Sequence, residues 1–261
     1  MAAGTAHKGH RMEREQAAAI TRRDILRTGA AALAIGSAGT AGASPAPELG
    51  AGATILFQGD SITDVGRNRD MEGDANRYDA LGHGYPMLLA HELLRDYPAQ
   101  DLRIYNRGIS GNRVPHLSER WQKDCIDLKP DVLSILVGVN DIWHKLNGDY
   151  DGTVADYEDG FGALLARTRK ALPDVTVLVC EPFALRTGAV GDHWFPEMDE
   201  RRAAARRVAD AAGATWVPFQ SVFDDATGKG TAPSYWAADG AHPTMAGHAL
   251  MAKAWRHASG L

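Results

Sequence analysis

Cysteine is nearly absent from this 261-residue chain, with only Cys125 and Cys180 present. Two thiols cannot form the dense disulfide framework of a small secreted scaffold. Cys180 lies in an apolar run that reads as a buried strand, where a thiol is an inert core group. A Cys125–Cys180 bridge stays open, because sequence does not supply the geometry it needs. Aromatic residues are only 7% of the chain, yet 44% of it is hydrophobic, enough for an ordinary soluble core. No compositional bias points to a collagen-like or disordered chain. The formal net charge of −5 argues against nucleic acid or an anionic membrane surface as partner, since both reward clustered Lys and Arg. No apolar run approaches the ~20 residues needed to span a bilayer.

The first 43 residues differ from the rest. Thr21-Arg22-Arg23-Asp24-Ile25-Leu26-Arg27 forms a twin-arginine pattern, followed by an Ala/Gly-rich stretch from Thr28 to Gly42. Ala41-Gly42-Ala43 then fits a small-x-small cleavage site. This order of charge, weakly apolar stretch and small residues is that of an export signal, an address and not part of the fold. Residues 1–43 are therefore expected to direct the protein to the cell envelope or outside. Without them the net charge falls to −8.

Residues 44–261 read as one domain, with no internal repeat or linker. Short apolar runs at Ala53–Phe57, Leu102–Tyr105, Val132–Val137, Val175–Cys180 and Thr215–Pro218 lack polar alternation, as strands buried on both faces do. Helical segments are expected near Tyr85–Tyr97, Leu117–Asp127, Val154–Leu172, Pro196–Ala212 and Pro243–Ser259, with Pro243 at the first helical position. Strands alternating with helices imply right-handed parallel crossovers. The fold class is then α/β, three-layered, with a five-stranded parallel sheet covered on both faces. Ligands of such sheets bind outside the carboxyl ends of the strands.

The first three strand candidates each run into a small polar turn: Gln58-Gly59-Asp60-Ser61, Asn106-Arg107-Gly108 and Gly138-Val139-Asn140-Asp141. Near the other end of the chain, Asp239-Gly240-Ala241-His242 places an acid three residues before a histidine. Acyl transfer needs this set of parts. A serine hydroxyl becomes a nucleophile when a base takes its proton, and histidine titrates near neutrality. An acidic neighbour holds the imidazole tautomer, and fixed donors stabilise the developing oxyanion. The donors expected here are the N–H groups of Ser61 and Gly108 and the side-chain amide of Asn140. Asp60 is expected to support the serine turn through hydrogen bonds. Taken singly, Ser61 is also an ordinary helix cap, and Asn140 and Asp141 are ordinary turn formers.

Together, Gly59-Asp60-Ser61-Ile62-Thr63, Gly108, Gly138-Val139-Asn140-Asp141 and Asp239-Gly240-Ala241-His242 resemble the four sequence blocks of the SGNH hydrolases, also called GDSL esterases and lipases. The blocks occur in the family's order and, from Gly59 to His242, span most of residues 44–261. Ile62 stands where the family usually has Leu. The resemblance implies a flavodoxin-like sheet, no metal or other cofactor, and a Ser-His-Asp site. It assigns Ser61, Gly108, Asn140 and His242 to the four name-giving positions and Asp239 to the acid. No Gly-x-Ser-x-Gly elbow is present, because position 63 is Thr.

Arg107, Asn112 and Arg113 flank the Gly108 turn and are candidates for contacting a polar substrate. Trp143, Trp194 and Trp236 are candidates for an aromatic platform under a sugar ring, with core packing as the competing role. His83, His91, His144, His193 and His248 show no metal-ligand spacing. The stretches around Asn112-Arg113, Gly138–Trp143 and Glu181-Pro182-Phe183 look similar to bacterial members that act on short acyl esters, including carbohydrate deacetylases. The expected function is hydrolysis of a short-chain, acetyl-type ester on a small molecule or carbohydrate. Three other readings are a lysophospholipase or thioesterase, a non-catalytic carbohydrate-binding protein, and a flavodoxin-like electron carrier. The second predicts a lost catalytic residue, and none is missing. The third needs a phosphate-binding loop, and Gly59-Asp60-Ser61-Ile62-Thr63 is too short and carries an acid.

Overall fold

The computed structural model describes residues 47–261. The expected export signal lies outside the described residues. Five strands form one sheet, β1 (Thr54–Gly59), β2 (Arg103–Asn106), β3 (Val132–Leu136), β4 (Thr176–Cys180) and β5 (Thr215–Val217), in the order β2-β1-β3-β4-β5. All four pairings are parallel. In chain order the helices are α1 (Ser61–Asp64), α2 (Tyr78–Leu81), α3 (Tyr85–Asp96), α4 (Val114–Asp124), α5 (Val139–Leu146), α6 (Val154–Ala171), α7 (Glu197–Ala211), α8 (Phe219–Gly228), α9 (Pro233–Trp236) and α10 (Met245–Ser259). This strand order is the flavodoxin-like one, and it has its topological switch point between β1 and β3.

The strands read as continuous apolar runs because both faces are covered. Along β1, Ile55 and Phe57 enter one core cluster and Leu56 the other. Along β3, Val132 and Leu136 face the first cluster and Leu133 and Ile135 the second. The period-two alternation of strand side chains sends each to the opposite layer. The first layer is closed by α3, α8 and α10 through Leu89, Leu93, Phe219, Phe223, Met251 and Trp255. The second is closed by α4, α6 and α7 through Leu117, Trp121, Phe161, Leu165, Ala205 and Val208. Two indoles add hydrogen bonds to the packing, one tying α10 to β3 and the other tying α4 to α6 within the second layer. Trp255 Nε1 donates to Ser134 Oγ at 3.0 Å, and Trp121 Nε1 donates to Thr168 Oγ1 at 2.9 Å. Among the described residues no helix is long and apolar enough to cross a membrane.

The expected strands fall within two residues of the observed ones at each end, and the helices differ more. Pro243 is not the first helical residue. Thr244 is the N-cap, its Oγ1 accepting from the Gly247 N–H at 3.2 Å, and Pro243 instead pairs with Ala237 in an isolated bridge. α4 begins at Val114, three residues before the expected start. α1, α2, α5, α8 and α9 have no counterpart among the expected helices; α5 occupies a stretch expected as a turn and follows β3 with only Val137 and Gly138 between. Its opening Asn140 and Asp141 are turn formers by composition, but here they occupy the first helical turn and are buried.

Cys125 and Cys180 are free, buried and on opposite faces of the sheet, one in each cluster. Burial pushes both thiols up to about 12. The native protein without reductant is therefore expected to react negligibly with Ellman's reagent. The unfolded protein should release two equivalents; none on unfolding would mean that the thiols pair.

Candidate active site

The carboxyl ends of β1 and β3 flank the switch point, and the segments that follow them carry Ser61 and Asn140. Ser61 is the first residue of α1, not its cap. The N-cap is Asp60, whose Oδ1 accepts from the Ile62 N–H at 3.0 Å. A four-residue helix starting on the serine leaves the Ser61 N–H with no intrahelical partner. Ser61 Oγ lies 2.9 Å from His242 Nε2, and His242 Nδ1 lies 2.7 Å from Asp239 Oδ2. The other carboxylate oxygen, Asp239 Oδ1, accepts from the N–H groups of Ala241 (3.0 Å) and His242 (2.8 Å). The acid is thus anchored to the turn that carries the histidine it orients. Partial burial acts to raise the Asp239 pKa. The His242 N–H, the His242 ring and the Ala241 N–H outweigh it and hold the carboxyl below its ordinary value.

The glycine expected as an oxyanion donor needs correction. The Gly108 N–H is already committed, donating to Asn106 Oδ1 at 2.9 Å in a buried position. Gly108 is small for a different reason. A Cβ there would lie 2.6 Å from Asp64 N and 2.8 Å from Thr63 Cβ, so the turn packs directly on α1. Three residues further on, Gly111 has φ +81°, a left-handed conformation that favours glycine. No described group accepts from its N–H. The second glycine of Gly108-Ile109-Ser110-Gly111 was the available sequence signal. Asn140 Nδ2 donates to the Asn112 carbonyl at 3.2 Å, which orients the amide and leaves its second proton free.

The flanking candidates separate clearly. Arg107 does not contact solvent as a substrate-binding group should. It is 4% exposed and ion-paired with Asp124 (3.1 Å) and Glu72 (3.3 Å). Asn112 Oδ1 accepts from Arg120 Nε at 2.9 Å, so its side chain is engaged within the protein. Arg113 stacks its guanidinium over the Tyr150 ring at 3.9 Å. Trp143 lies against the catalytic-type histidine, its ring 5.7 Å from that of His242 and tilted by 50°. Trp194 stands edge-on behind Trp143 and is buried, so it offers no open face. Trp236 lines a separate groove of about 520 Å³ between α8 and α10 with Val222, Leu250 and Ala254. The three tryptophans therefore do not form one platform.

Behind the site lie two carboxyls that in sequence look like a turn support and a turn former. Asp60 and Asp141 are both fully buried, and burial raises each pKa to about 7. For Asp60 the Ile62 N–H and His242 pull the other way; for Asp141, Arg201 and Arg113 do. His248, beneath the site, accepts from the Tyr85 N–H through Nδ1 at 3.2 Å. Burial, reinforced by His242, lowers its pKa to about 4 and keeps it neutral. Among the described residues no three His, Cys, Asp or Glu side chains gather as metal ligands.

The model of the GDSL-like lipase/acylhydrolase family matches residues 57–250. An acetylxylan esterase from Geobacillus stearothermophilus is 33% identical over 212 residues, covering 80% of this chain and 94% of its own. Its crystal structure superposes with a TM-score of 0.72 over 82% of this chain and 96% of its own. Serine-to-alanine and histidine-to-alanine forms of that esterase are described as catalytic mutants. A structure from Parabacteroides merdae, described as a GDSL-like lipase, is 46% identical. It superposes with a TM-score of 0.80, over 83% of this chain and 99% of its own.

The raised pKa of Asp141 has a consequence for stability. Its folded value of about 7 exceeds the ordinary aspartate value of 3.8, so the folded state holds an extra proton between those limits. Stability from this group is therefore full at low pH and is lost as pH rises through 7. Asp141→Asn removes the titration. Between pH 5 and pH 8 its stability relative to wild type should improve by about 2 kcal/mol, read by urea unfolding at both values. A difference independent of pH would contradict the assignment.

Proposed function

Since the chain belongs to the GDSL-like lipase/acylhydrolase family and is a carboxylic ester hydrolase, we propose that it removes short acyl groups, acetyl above all, from carbohydrate. It does so through an acyl-enzyme on Ser61. The observation that carries the reading is the unbroken line Ser61 Oγ, His242 Nε2, His242 Nδ1, Asp239 Oδ2, with steps of 2.9 and 2.7 Å. His242 takes the serine proton as Oγ attacks the ester carbonyl, and the Asp239 carboxylate stabilises the imidazolium that results. The tetrahedral oxyanion is held by the free N–H groups of Ser61 and Gly111 and the remaining Nδ2 proton of Asn140. His242 then protonates the leaving sugar hydroxyl. Water, activated by the same imidazole, releases the acid and restores Ser61.

Two features support the acyl and alcohol classes. The acetylxylan esterase relative covers four-fifths of this chain, and Trp143 offers an aromatic face beside His242 of the kind on which sugar rings stack. The export expected of residues 1–43 suits a polymeric substrate met outside the cell.

The purified enzyme should hydrolyse p-nitrophenyl acetate faster than the octanoate. It should also release acetate from acetylated xylooligosaccharides but no fatty acid from lysophospholipid. Preference for the long-chain esters would replace this reading with a lipolytic one. Ser61→Ala should lose at least about 10⁴-fold in kcat with unchanged circular dichroism. Asn140→Ala should lose about 10² to 10³-fold. Gly111→Ala, strained at its positive φ, should lower kcat, whereas Gly108→Ala should chiefly lower the unfolding temperature.

A further inference from the structure

Arg120 on α4 is remote in sequence from Ser61 and Asn140, yet its guanidinium reaches two backbone carbonyls and one side chain that adjoin the three parts of the oxyanion hole. Nη2 donates to the Gly59 carbonyl (3.3 Å), two residues before Ser61. Nη1 donates to the Arg107 carbonyl (2.8 Å) at the start of the turn that ends in Gly111. Nε donates to Asn112 Oδ1 (2.9 Å), and the Asn112 carbonyl in turn accepts from Asn140 Nδ2 (3.2 Å). Nη1 also meets Gln58 Oε1 (3.0 Å) and Asp124 Oδ2 (3.1 Å), so its two protons are shared among three acceptors.

We propose that Arg120 is the positioning residue of the oxyanion hole, a single rigid fork that sets the spacing of the Ser61, Gly111 and Asn140 donors. The inference rests on the esterase reading above. The three donors sit on three segments, the turns after β1 and β2 and the start of α5, whose mutual positions no single strand pairing controls. A planar guanidinium with five N–H groups holds several acceptors at fixed angles, which a flexible ammonium does not. Asp124, shared with Arg107 at 3.1 Å, fixes the guanidinium from behind. A displacement of about 1 Å in such a constellation costs on the order of 10²-fold in rate.

The role belongs to the transition state, so its signature is a split between kcat and KM. Arg120→Lys should lower kcat for p-nitrophenyl acetate about 10 to 100-fold while KM stays within about 3-fold, each rate expressed per serine titrated by diisopropyl fluorophosphate. Inhibition by a short alkylboronic acid, whose tetrahedral adduct places an oxygen in the hole, should weaken in parallel with kcat. Asn112→Ala removes one arm and leaves the guanidinium in place; it should shift both quantities the same way by a smaller factor. It decides the question if Arg120→Lys does not fold. A variant with fewer titratable serines but wild-type kcat per titrated serine and wild-type boronate inhibition would overturn the inference, leaving Arg120 a support of the fold alone. Absence of ester hydrolysis and of serine titration in the wild type would instead remove the esterase reading on which it stands, and this inference with it.

Discussion

The hydrogen bond between Ser61 and His242 joins residues 181 positions apart, and it forms only if two independent turns arrive at one place. One turn is fixed by β1, the other by the segment that leads into α10. A parallel sheet makes this possible, because every strand delivers its carboxyl end to the same edge. The order β2-β1-β3-β4-β5 places the crevice between β1 and β3, next to the serine. The alternating burial of β1 and β3 locks those strands between two helical layers. A register slip would exchange the faces and move Ser61 away from its partner.

Around that bond the protein supplies charge in a graded way. Asp239 is partly open and ionised, anchored by two backbone N–H groups. Asp60 and Asp141 are sealed beneath the site, with pKa values raised to about 7, and His248 is kept neutral by burial. The exposed acid thus carries a permanent charge beside the histidine, while the sealed groups can hold or lose a proton near neutral pH. This arrangement spares the interior from several unscreened charges close together. It also leaves Asp239 as the carboxylate that orients the imidazole.

Much of the architecture is legible in sequence because burial on both faces writes continuous apolar runs, and these runs mark all five strands. The turns carrying Ser61, Asn140 and the Asp239–His242 pair stand out in sequence because acyl transfer would demand those residue types. What escaped was geometry within a turn. Gly108 and Gly111 both stand in one loop, and only the bond from the Gly108 N–H to Asn106 Oδ1 shows that its donor is spent. Arg107 and Asn112 look like surface groups in sequence, but long-range pairing with Asp124 and Arg120 takes their side chains inward. Trp194 packs edge-on behind Trp143 and Trp236 lines another groove, through packing that no local spacing encodes. α5 was hidden because Asn and Asp at a strand end resemble a turn.

The central claim is that Ser61 carries the acyl group during turnover. Its most direct test is mass spectrometry of enzyme mixed briefly with p-nitrophenyl acetate and quenched in acid, followed by peptide mapping. The account predicts a gain of about 42 Da on the peptide containing Ser61, absent in His242→Ala on the same timescale. An acetyl group found on another residue, or ester turnover with no labelled peptide under burst conditions, would contradict it.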